Sequence, residues 1–338
     1  MTTSKNPNGK TSMVRLPRGF FWILLAGLFC CAGPVSAQRI NIAYSAITGS
    51  QAPLWVAKDA GIFKSHGFDV ELVYIAGGSI VTNALLAGDV QWARLGPNAV
   101  IHASSRGADL KMIANTMNTL VTSLMVKPEI RTPKDLAGKK IGVTRLGGNV
   151  DYALDLVLKK WGLQRGKEVV VLQTGGNAQL LGALVAGSVD AGILSSPTNL
   201  RAVKLGLKEL VDFSDLGIAY PASVIATTGQ YLAENRKVAL RFLRAYCEGI
   251  YRVSKDPAMT MKAIAKYSNE QDPQILAEVY RVYGVKHLEK IPYVKTEGVQ
   301  EVLRSEKMKA TEANAMAFID NSLVAELEQE GFFRKLYK

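Results

Sequence analysis

The sequence predicts an α/β protein of two lobes that are joined by a two-segment hinge and separated by a cleft. The main observation is an internal repeat, in which Leu85–Val90 (LLAGDV) recurs as Leu184–Val189 (LVAGSV) at an offset of roughly 98 residues. A Gly-Gly pair precedes each copy, at Gly77-Gly78 and at Gly175-Gly176. An offset of this size is too long for a solenoid repeat, and it indicates two similar units in one chain.

Strand-like and helix-like segments alternate within each unit. The predicted strands are Ile40–Tyr44 and Val70–Ile75 in the first unit, and Lys140–Thr144 and Val169–Leu172 in the second. The predicted helices between them are Pro53–Ala60 and Val150–Trp161. Such alternation predicts parallel strands whose crossover helices cover the sheet.

Two β-rich segments are predicted to be paired crossings between the lobes, at Thr119–Val126 and Ser223–Thr228. We therefore expect the first lobe to comprise residues 38–122 plus 228–338, and the second lobe to comprise residues 123–227. The chain after Gln230 has no strand pattern, so it is predicted to be a helical tail that packs on the first lobe. Within that tail, a helix from Pro273 to Tyr283 is expected to end at Gly284.

The first 37 residues are predicted to be a signal peptide. They contain basic residues, an apolar run and a group of small residues, in this order: Lys10, Arg15 and Arg18, then Phe20 to Ala32, then Val35-Ser36-Ala37. This order is typical of secretory signals, so we expect cleavage after Ala37 and export to the periplasm. Two alternatives stay open, an uncleaved membrane anchor and a lipid attached at Cys30 or Cys31.

Composition and charge exclude several classes of protein. The chain is 48% hydrophobic and 21% charged, an ordinary globular balance, and its net charge is +12. The Lys and Arg residues are scattered and no basic run alternates with aromatic residues, so no nucleic-acid partner is predicted. Cys247 is the single cysteine after residue 37, so no internal disulfide is expected, and its helical context predicts a buried side chain.

No catalytic or metal-binding motif occurs. His66, His102 and His287 lie far apart without metal-ligand spacing, and no zinc or nucleophile-elbow motif is present. We therefore predict no catalytic residue, no metal ligand and no cofactor.

The loops that follow the strands carry the candidate ligand-binding residues, because ligands of open α/β sheets bind beyond the carboxyl ends of the strands. In the first lobe these residues are Tyr44, Ser45, Gln51, Ser79, Gly96, Pro97, Asn98 and Thr122; in the second they are Arg145, Gly148, Asn149, Ser195, Ser196 and Tyr220.

Several of these residues suit a ligand with an acidic group. Ser79 and Asn149 are expected to be N-caps of helices whose free N–H groups favour a carboxylate, sulfonate or phosphate. Arg145 could add a bidentate contact, or it could be exposed or paired with a local acid. Tyr44 and Tyr220 could pack on an apolar or planar part of the ligand.

Several segments also resemble a known family. Ala52–Phe63 (APLWVAKDAGIF), Gly67–Leu72 (GFDVEL), Gly77-Gly78-Ser79 and Ala87–Val90 (AGDV) resemble the nitrate/taurine/aliphatic-sulfonate class of ABC solute-binding proteins, within the thiamine-pyrimidine-synthase-like superfamily. Leu136–Val143 (LAGKKIGV) and Val189-Asp190-Ala191 match the second-lobe pattern of that class. The resemblance extends from about Ile40 to Leu243, and beyond it the tail matches only in being helical.

The resemblance implies a type II periplasmic-binding-protein fold that closes on a small-molecule ligand. It also implies an ABC permease and ATPase in the inner membrane as partners, and we expect a monomer. It does not specify the ligand, for which we favour an organic anion. Arg94 could face the cleft or the other side of its strand. Two alternative functions stay open, an enzyme of the thiamine-precursor type on the same fold and a sensory ligand-binding module.

Overall fold

The computed structural model describes residues 37–338, so the predicted signal peptide lies almost entirely outside the described residues. The strands are β1 Gln38–Tyr44, β2 Phe68–Tyr74, β3 Trp92–Leu95, β4 Leu110–Asn115, β5 Ser123–Val126, β6 Lys140–Val143, β7 Val170–Gln173, β8 Ala191–Leu194, β9 Lys208–Asp212 and β10 Val224–Thr228. The helices of the strand-containing part are α1 Ala52–Asp59, α2 Ile62–Ser65, α3 Gly78–Ala87, α4 Pro97–Ser104, α5 Asn149–Trp161, α6 Asn177–Val185 and α7 Thr198–Lys204. The helices of the tail are α8 Gly229–Glu234, α9 Arg236–Lys255, α10 Pro257–Ser268, α11 Pro273–Tyr280, α12 Thr296–Ser305, α13 Glu312–Met316, α14 Ser322–Gln329 and α15 Phe332–Leu336.

The strands form two five-stranded sheets that repeat one topology. The first sheet has the order β2-β1-β3-β10-β4, and the second has the order β7-β6-β8-β5-β9. In each sheet the first three strands are parallel, as the alternation of strands and helices predicts. The sequence repeat therefore corresponds to a structural repeat, and the α/β fold is confirmed.

The two crossing segments contain strands of different sheets. β10 is antiparallel to β3 and β4 in the first sheet, and β5 is antiparallel to β8 and β9 in the second. Each crossing strand thus enters its own sheet in the reverse direction and fills a gap between two strands of that lobe. β10 thus belongs to the first sheet and β5 to the second.

The helical tail covers one face of the first sheet. Phe242 of α9 stacks on Trp92 of β3, with 4.5 Å between ring centroids, and both residues are buried. Cys247 on the same helix is a free thiol and is buried, as predicted. The prediction of a helix end at Gly284 is wrong, because α11 continues into a π-helical turn, Arg281–Lys286.

The tail also reaches the second sheet's helices, which the sequence did not predict. Arg201 on α7 pairs with Glu270 in the loop between α10 and α11, with 2.5 Å between Nε and Oε2. Val299 and Val302 of α12 belong to the same buried cluster as Tyr152 of α5. The tail therefore contacts both lobes. Within residues 37–338, no helix combines the length and the apolarity that crossing a lipid bilayer requires.

Candidate functional site

A cavity of about 920 Å³ lies between the two sheets, at the carboxyl ends of their parallel strands. Its wall takes residues from the loop after each of β1, β2 and β3 of the first sheet and β6, β7 and β8 of the second. This is the edge at which open α/β sheets bind ligands. The repeat thus brings matching loops of the two lobes to opposite sides of one cavity.

Helix N-termini of both lobes meet at this cavity, and four of them have a glycine as the N-cap. The N-caps are Gly77 of α3, Gly96 of α4, Gly148 of α5 and Gly176 of α6, and all four residues line the cavity. A glycine has no side chain that could accept a bond from the first-turn amides, so those amides are left for other partners. The aligned peptide dipoles add partial positive charge at the same place.

The charged side chains of the wall are basic. Arg145, Arg106 and Arg201 line the cavity, and among the described residues no Asp or Glu does. The first turns of these four helices contain one acidic residue, Asp151 of α5. Arg165 pairs with Asp151 at 2.7 Å and neutralises its charge. Arg201 is likewise neutralised by Glu270. The arrangement favours a ligand that carries negative charge.

Two direct hydrogen bonds join the lobes beside the cavity, and Tyr220, between β9 and β10, adds a third contact, so the lobes are closed on each other. The Nη2 atom of Arg145 donates to the carbonyl of Ala76 at 3.1 Å. The amide of Gly49 donates to the carbonyl of Ser196 at 3.0 Å. The hydroxyl of Tyr220 lies 2.7 Å from Oδ1 of Asn149.

Glycines of the first lobe allow two close approaches by side chains of the second lobe. A Cβ atom on Gly96 would lie 1.6 Å from Oδ1 of Asn149, and a Cβ on Gly77 would lie 2.0 Å from Nε of Arg145. Gly77 also has φ +100°, a backbone conformation that favours glycine over other residues. Side chains of the second lobe therefore rest directly on glycine backbone of the first.

Most of the residues predicted from the sequence line the cavity: Ser45, Gln51, Ser79, Gly96, Thr122, Arg145, Gly148, Asn149 and Ser195. The predicted N-cap roles are wrong, because Gly77 caps the helix of Ser79 and Gly148 caps that of Asn149. Asn149 instead turns its amide toward Gly96 and Tyr220.

The other predicted residues lie behind the wall: Tyr44, Pro97, Asn98, Ser196 and Tyr220. The ring of Tyr44 packs against Tyr74, with 5.5 Å between ring centroids, and it is Tyr74 that lines the cavity. The Tyr220 hydroxyl contacts Asn98 as well as Asn149, and burial holds the pKa of Tyr220 well above its usual value. Tyr220 thus links the lobes and is not a wall residue.

Arg94 faces the helical layer and not the cavity. It is fully buried, and its Nη2 atom donates to Oγ1 of Thr116 at 2.7 Å and to the carbonyl of Ser50. The guanidinium lies 5.6 Å from the ring centroid of Tyr246, and burial lowers the pKa of Arg94 to about 9. Since Ser50 lines the cavity, Arg94 supports the wall from behind.

Two wall residues were missed from the sequence although the repeat could have indicated them. Tyr74 ends β2, and Asn177 follows the second Gly-Gly pair. His102 was noted only as a lone histidine, but it lines the cavity with Nε2 3.2 Å from Oε2 of Glu306. Because Glu306 lies in the tail, no local sequence pattern shows this contact. Among residues 37–338, no group of His, Cys, Asp and Glu side chains is arranged to hold a metal ion.

The fold and the inter-lobe cavity define a two-lobed protein of the periplasmic-binding-protein fold. Residues 49–260 match the family described as NMT1/THI5 like, and the chain belongs to that family. The match covers both crossings and all four glycine N-caps.

Several known proteins are similar to the chain. It is 24% identical over 270 residues to the binding protein YtlA of Bacillus subtilis (strain 168), covering 78% of this chain and 81% of that protein. It is 30% identical over 198 residues to the taurine-binding periplasmic protein of Escherichia coli (strain K12), covering 57% of this chain and 59% of that protein.

An enzyme and a protein of known structure are also similar to the chain. The 4-amino-5-hydroxymethyl-2-methylpyrimidine phosphate synthase of Aspergillus parasiticus is 25% identical over 232 residues, covering 62% of this chain and 65% of that enzyme. The structure of the alkanesulfonate-binding protein SsuA from Xanthomonas axonopodis pv. citri, bound to MOPS, superposes with a TM-score of 0.70 at 18% identity. That superposition covers 83% of this chain and 98% of SsuA.

Proposed function

We propose that the protein is the solute-binding component of an ABC importer and that it binds a small organic anion between its lobes. The observation that carries this proposal is the cavity wall, in which four glycine-capped helix N-termini and Arg145 meet and no described acidic side chain is present. Amide donors and partial positive charge from both lobes would hold a carboxylate or sulfonate.

Hinge closure is the proposed mechanism. A ligand that contacts both lobes binds the closed form better than an open form, so it shifts the population toward closure. We place the hinge in the two connections between the sheets, Thr116–Thr122 and Phe213–Ser223. The first lobe would then include β10, and the second lobe would run from β5 to β9.

The proposed partners are an ABC permease and its ATPase in the inner membrane, with the protein located in the periplasm. The taurine-binding relative from Escherichia coli is itself named as periplasmic. The signal-like order of residues before Gln38 supports export of this chain.

Binding without turnover is proposed over catalysis. YtlA and the taurine-binding protein are both named as binding proteins, and YtlA matches more of this chain, 78%, than the synthase does, 62%. Incubation of the purified protein with a bound ligand, followed by mass spectrometry, tests this point. Recovery of the ligand unchanged is expected, and conversion to a product would overturn the proposal.

The binding proposal is tested by calorimetry on protein that has been unfolded, washed and refolded to remove any carried ligand. A Tris buffer avoids the sulfonate buffers, which could occupy the site. We expect organic carboxylates or sulfonates to bind and to raise the melting temperature, because they bind only the folded protein. Matched neutral amides should bind far more weakly.

Arg145→Gln should lower the affinity for the best anion about 10- to 100-fold, the usual effect of losing a hydrogen bond to a charged group. Arg131→Gln is the matched control, because Arg131 is exposed in the second lobe and is absent from the cavity wall. Equal losses in both variants, or no binding of any anion, would contradict the proposal.

A further inference from the structure

The cavity is large for taurine, the solute in the name of one relative. Its volume of about 920 Å³ is near the upper end of the range of roughly 300–1,000 Å³ in which proteins enclose drug-sized molecules. Taurine, by contrast, has seven non-hydrogen atoms. A ligand of that size would leave most of the wall without contacts, although protein sites commonly cover most of a ligand's surface.

Apolar side chains also line the cavity. Met117, Leu120 and Val121 come from the first connection between the lobes, and Leu95 comes from the end of β3. Three of them, Met117, Leu120 and Leu95, are only 2% exposed. They form a wall suited to a hydrocarbon chain or an aromatic ring, not to a hydrated inorganic anion.

A second polar region contains buried groups without protein partners. Oε1 of Gln51 and Oγ1 of Thr122 are buried and have no hydrogen bond to the protein, although both residues line the cavity. Leaving such groups unpaired is costly, so a ligand that bonds to them would gain free energy. Gln51 is two residues from Gly49, whose amide contacts Ser196, and Thr122 precedes Ser123, which pairs with Leu194 in the second sheet. Arg145 belongs to a different inter-lobe contact.

These observations deepen the function proposed above and rest on it. We propose that the ligand is an extended organic anion, with an acidic group at the glycine N-caps and Arg145, an apolar body, and a polar group at Gln51 and Thr122. The apolar body contacts the segment Met117–Val121. Short oxyanions and two-carbon sulfonates would be poor ligands of this chain.

Calorimetry with unbranched carboxylates of two, four, six, eight and ten carbons tests the length. We expect the affinity to rise about fourfold per methylene, the usual gain for burying one CH₂ group, until the chain fills the cavity. If the two-carbon acid or taurine bound most tightly, the proposal of an extended ligand would be overturned. The proposal that the protein binds an anion would not be affected. Tighter binding of matched neutral amides would instead overturn that function.

Carboxylates with a hydroxyl at the far end test the second polar region. At the length that binds best, the ω-hydroxy acid should bind about tenfold more tightly than the plain acid, as expected for one hydrogen bond to a buried group. Thr122→Val should remove most of this preference, because one of the two buried groups that bond to the hydroxyl is lost. Equal binding of both acids to the unaltered protein would contradict a polar group of the ligand at Gln51 and Thr122.

Val121→Phe tests the apolar body, because the larger ring would shorten the space while the Val121 carbonyl that accepts from Tyr283 is retained. It should weaken the eight-carbon acid at least tenfold and the two-carbon acid much less. Val203→Phe, at an exposed position outside the cavity wall, should change neither affinity. Equal effects of Val121→Phe on both acids would contradict contact between Val121 and the middle of the ligand's hydrocarbon chain.

Discussion

At the scale of single residues, Tyr220 joins parts of the chain that are distant in sequence. Its hydroxyl is buried between Asn98 of α4 and Asn149 of α5, and Nδ2 of Asn98 donates to Glu306 at 3.2 Å. One phenol therefore connects the first lobe, the second lobe and the tail. Because no water reaches the phenol, its removal would leave amide groups without a partner.

Tyr220→Phe should lower the free energy of unfolding by about 1–3 kcal/mol, the usual cost of unpairing buried polar groups. It should also weaken ligand binding, because the hydroxyl lies between the closed lobes. Urea denaturation and calorimetry measure the two effects.

Tyr293→Phe is the matched control, because the Tyr293 hydroxyl bonds to Glu328 at 2.7 Å on an exposed part of the tail. It should cost less stability and leave binding unchanged. If both variants behaved alike, Tyr220 would have no role in closure.

The sequence predicted residue positions better than residue roles. Arg145, Gln51 and Thr122 line the cavity as predicted, because the loop after a parallel strand has one location in such a sheet. The direction of Arg94 could not be predicted, since β3 is buried on both faces and has no polar side to compare with an apolar one.

At the scale of elements, the glycine N-caps of α3 and α4 determine how closely the lobes approach. Gly96 has φ −83° and ψ 155°, which any residue adopts, so the backbone itself does not require glycine. What requires glycine there is the amide of Asn149, which occupies the space that a Cβ atom would fill.

Gly96→Ala should therefore preserve the fold and hinder closure. We expect a melting temperature of the ligand-free protein within a few degrees of the original, and about 10- to 100-fold weaker anion binding, as for an overpacked contact. Thermal unfolding and calorimetry check both expectations.

Gly182→Ala is the control, because Gly182 lies inside α6 with open space around its Cα. It should leave binding unchanged and stabilise the helix by up to about 1 kcal/mol. Unaltered binding by Gly96→Ala would show that the closed contact does not limit affinity.

The parallel strands and the helices of the repeat were predictable from their local patterns, and their bounds agree within two residues. The sheet assignment of β5 and β10 was not predictable. Both are short apolar strands, and their pairing depends on which sheet has room for a reversed strand.

At the scale of the whole molecule, ion pairs between the tail and α7 connect the second lobe to the first. Arg201 of α7 pairs with Glu270, and Lys204 of the same helix pairs with Asp272. Arg201 also donates to the carbonyl of Asn269 at 2.8 Å. We call these contacts, between α7 and residues 268–272, the α7 clasp. Because the clasp requires no ligand, it favours the closed form of the empty protein.

The clasp gives closure a dependence on pH. Burial would raise the pKa of Glu270, but the amides of Asp272 and Gln271 and the charge of Arg201 outweigh it, so the pKa is lowered from its usual 4.5. A carboxyl with a lowered pKa in the clasped form contributes stability above the unperturbed pKa, and this stability is lost as pH falls through the lowered pKa. The clasp should therefore weaken below about pH 4.5 and not at neutral pH.

Small-angle X-ray scattering of the ligand-free protein should show a radius of gyration that is constant from pH 7 to 5 and then increases, while far-UV circular dichroism still reports folded protein. Glu270→Gln should have the larger radius already at pH 7, because the neutral amide keeps the backbone bonds and loses the ion pair. It should also cost about 1–3 kcal/mol of stability, as for breaking a largely buried pair.

Asp135→Asn is the matched control for the acid response. The amides of Arg131 and Thr132 lower the pKa of Asp135, but this carboxylate is exposed and bonds only within the second lobe. Its loss should change the pH dependence of unfolding without changing the radius of gyration. If Glu270→Gln kept the compact radius at pH 7, the tail would be a passive cover of the first sheet and closure would depend on the ligand alone.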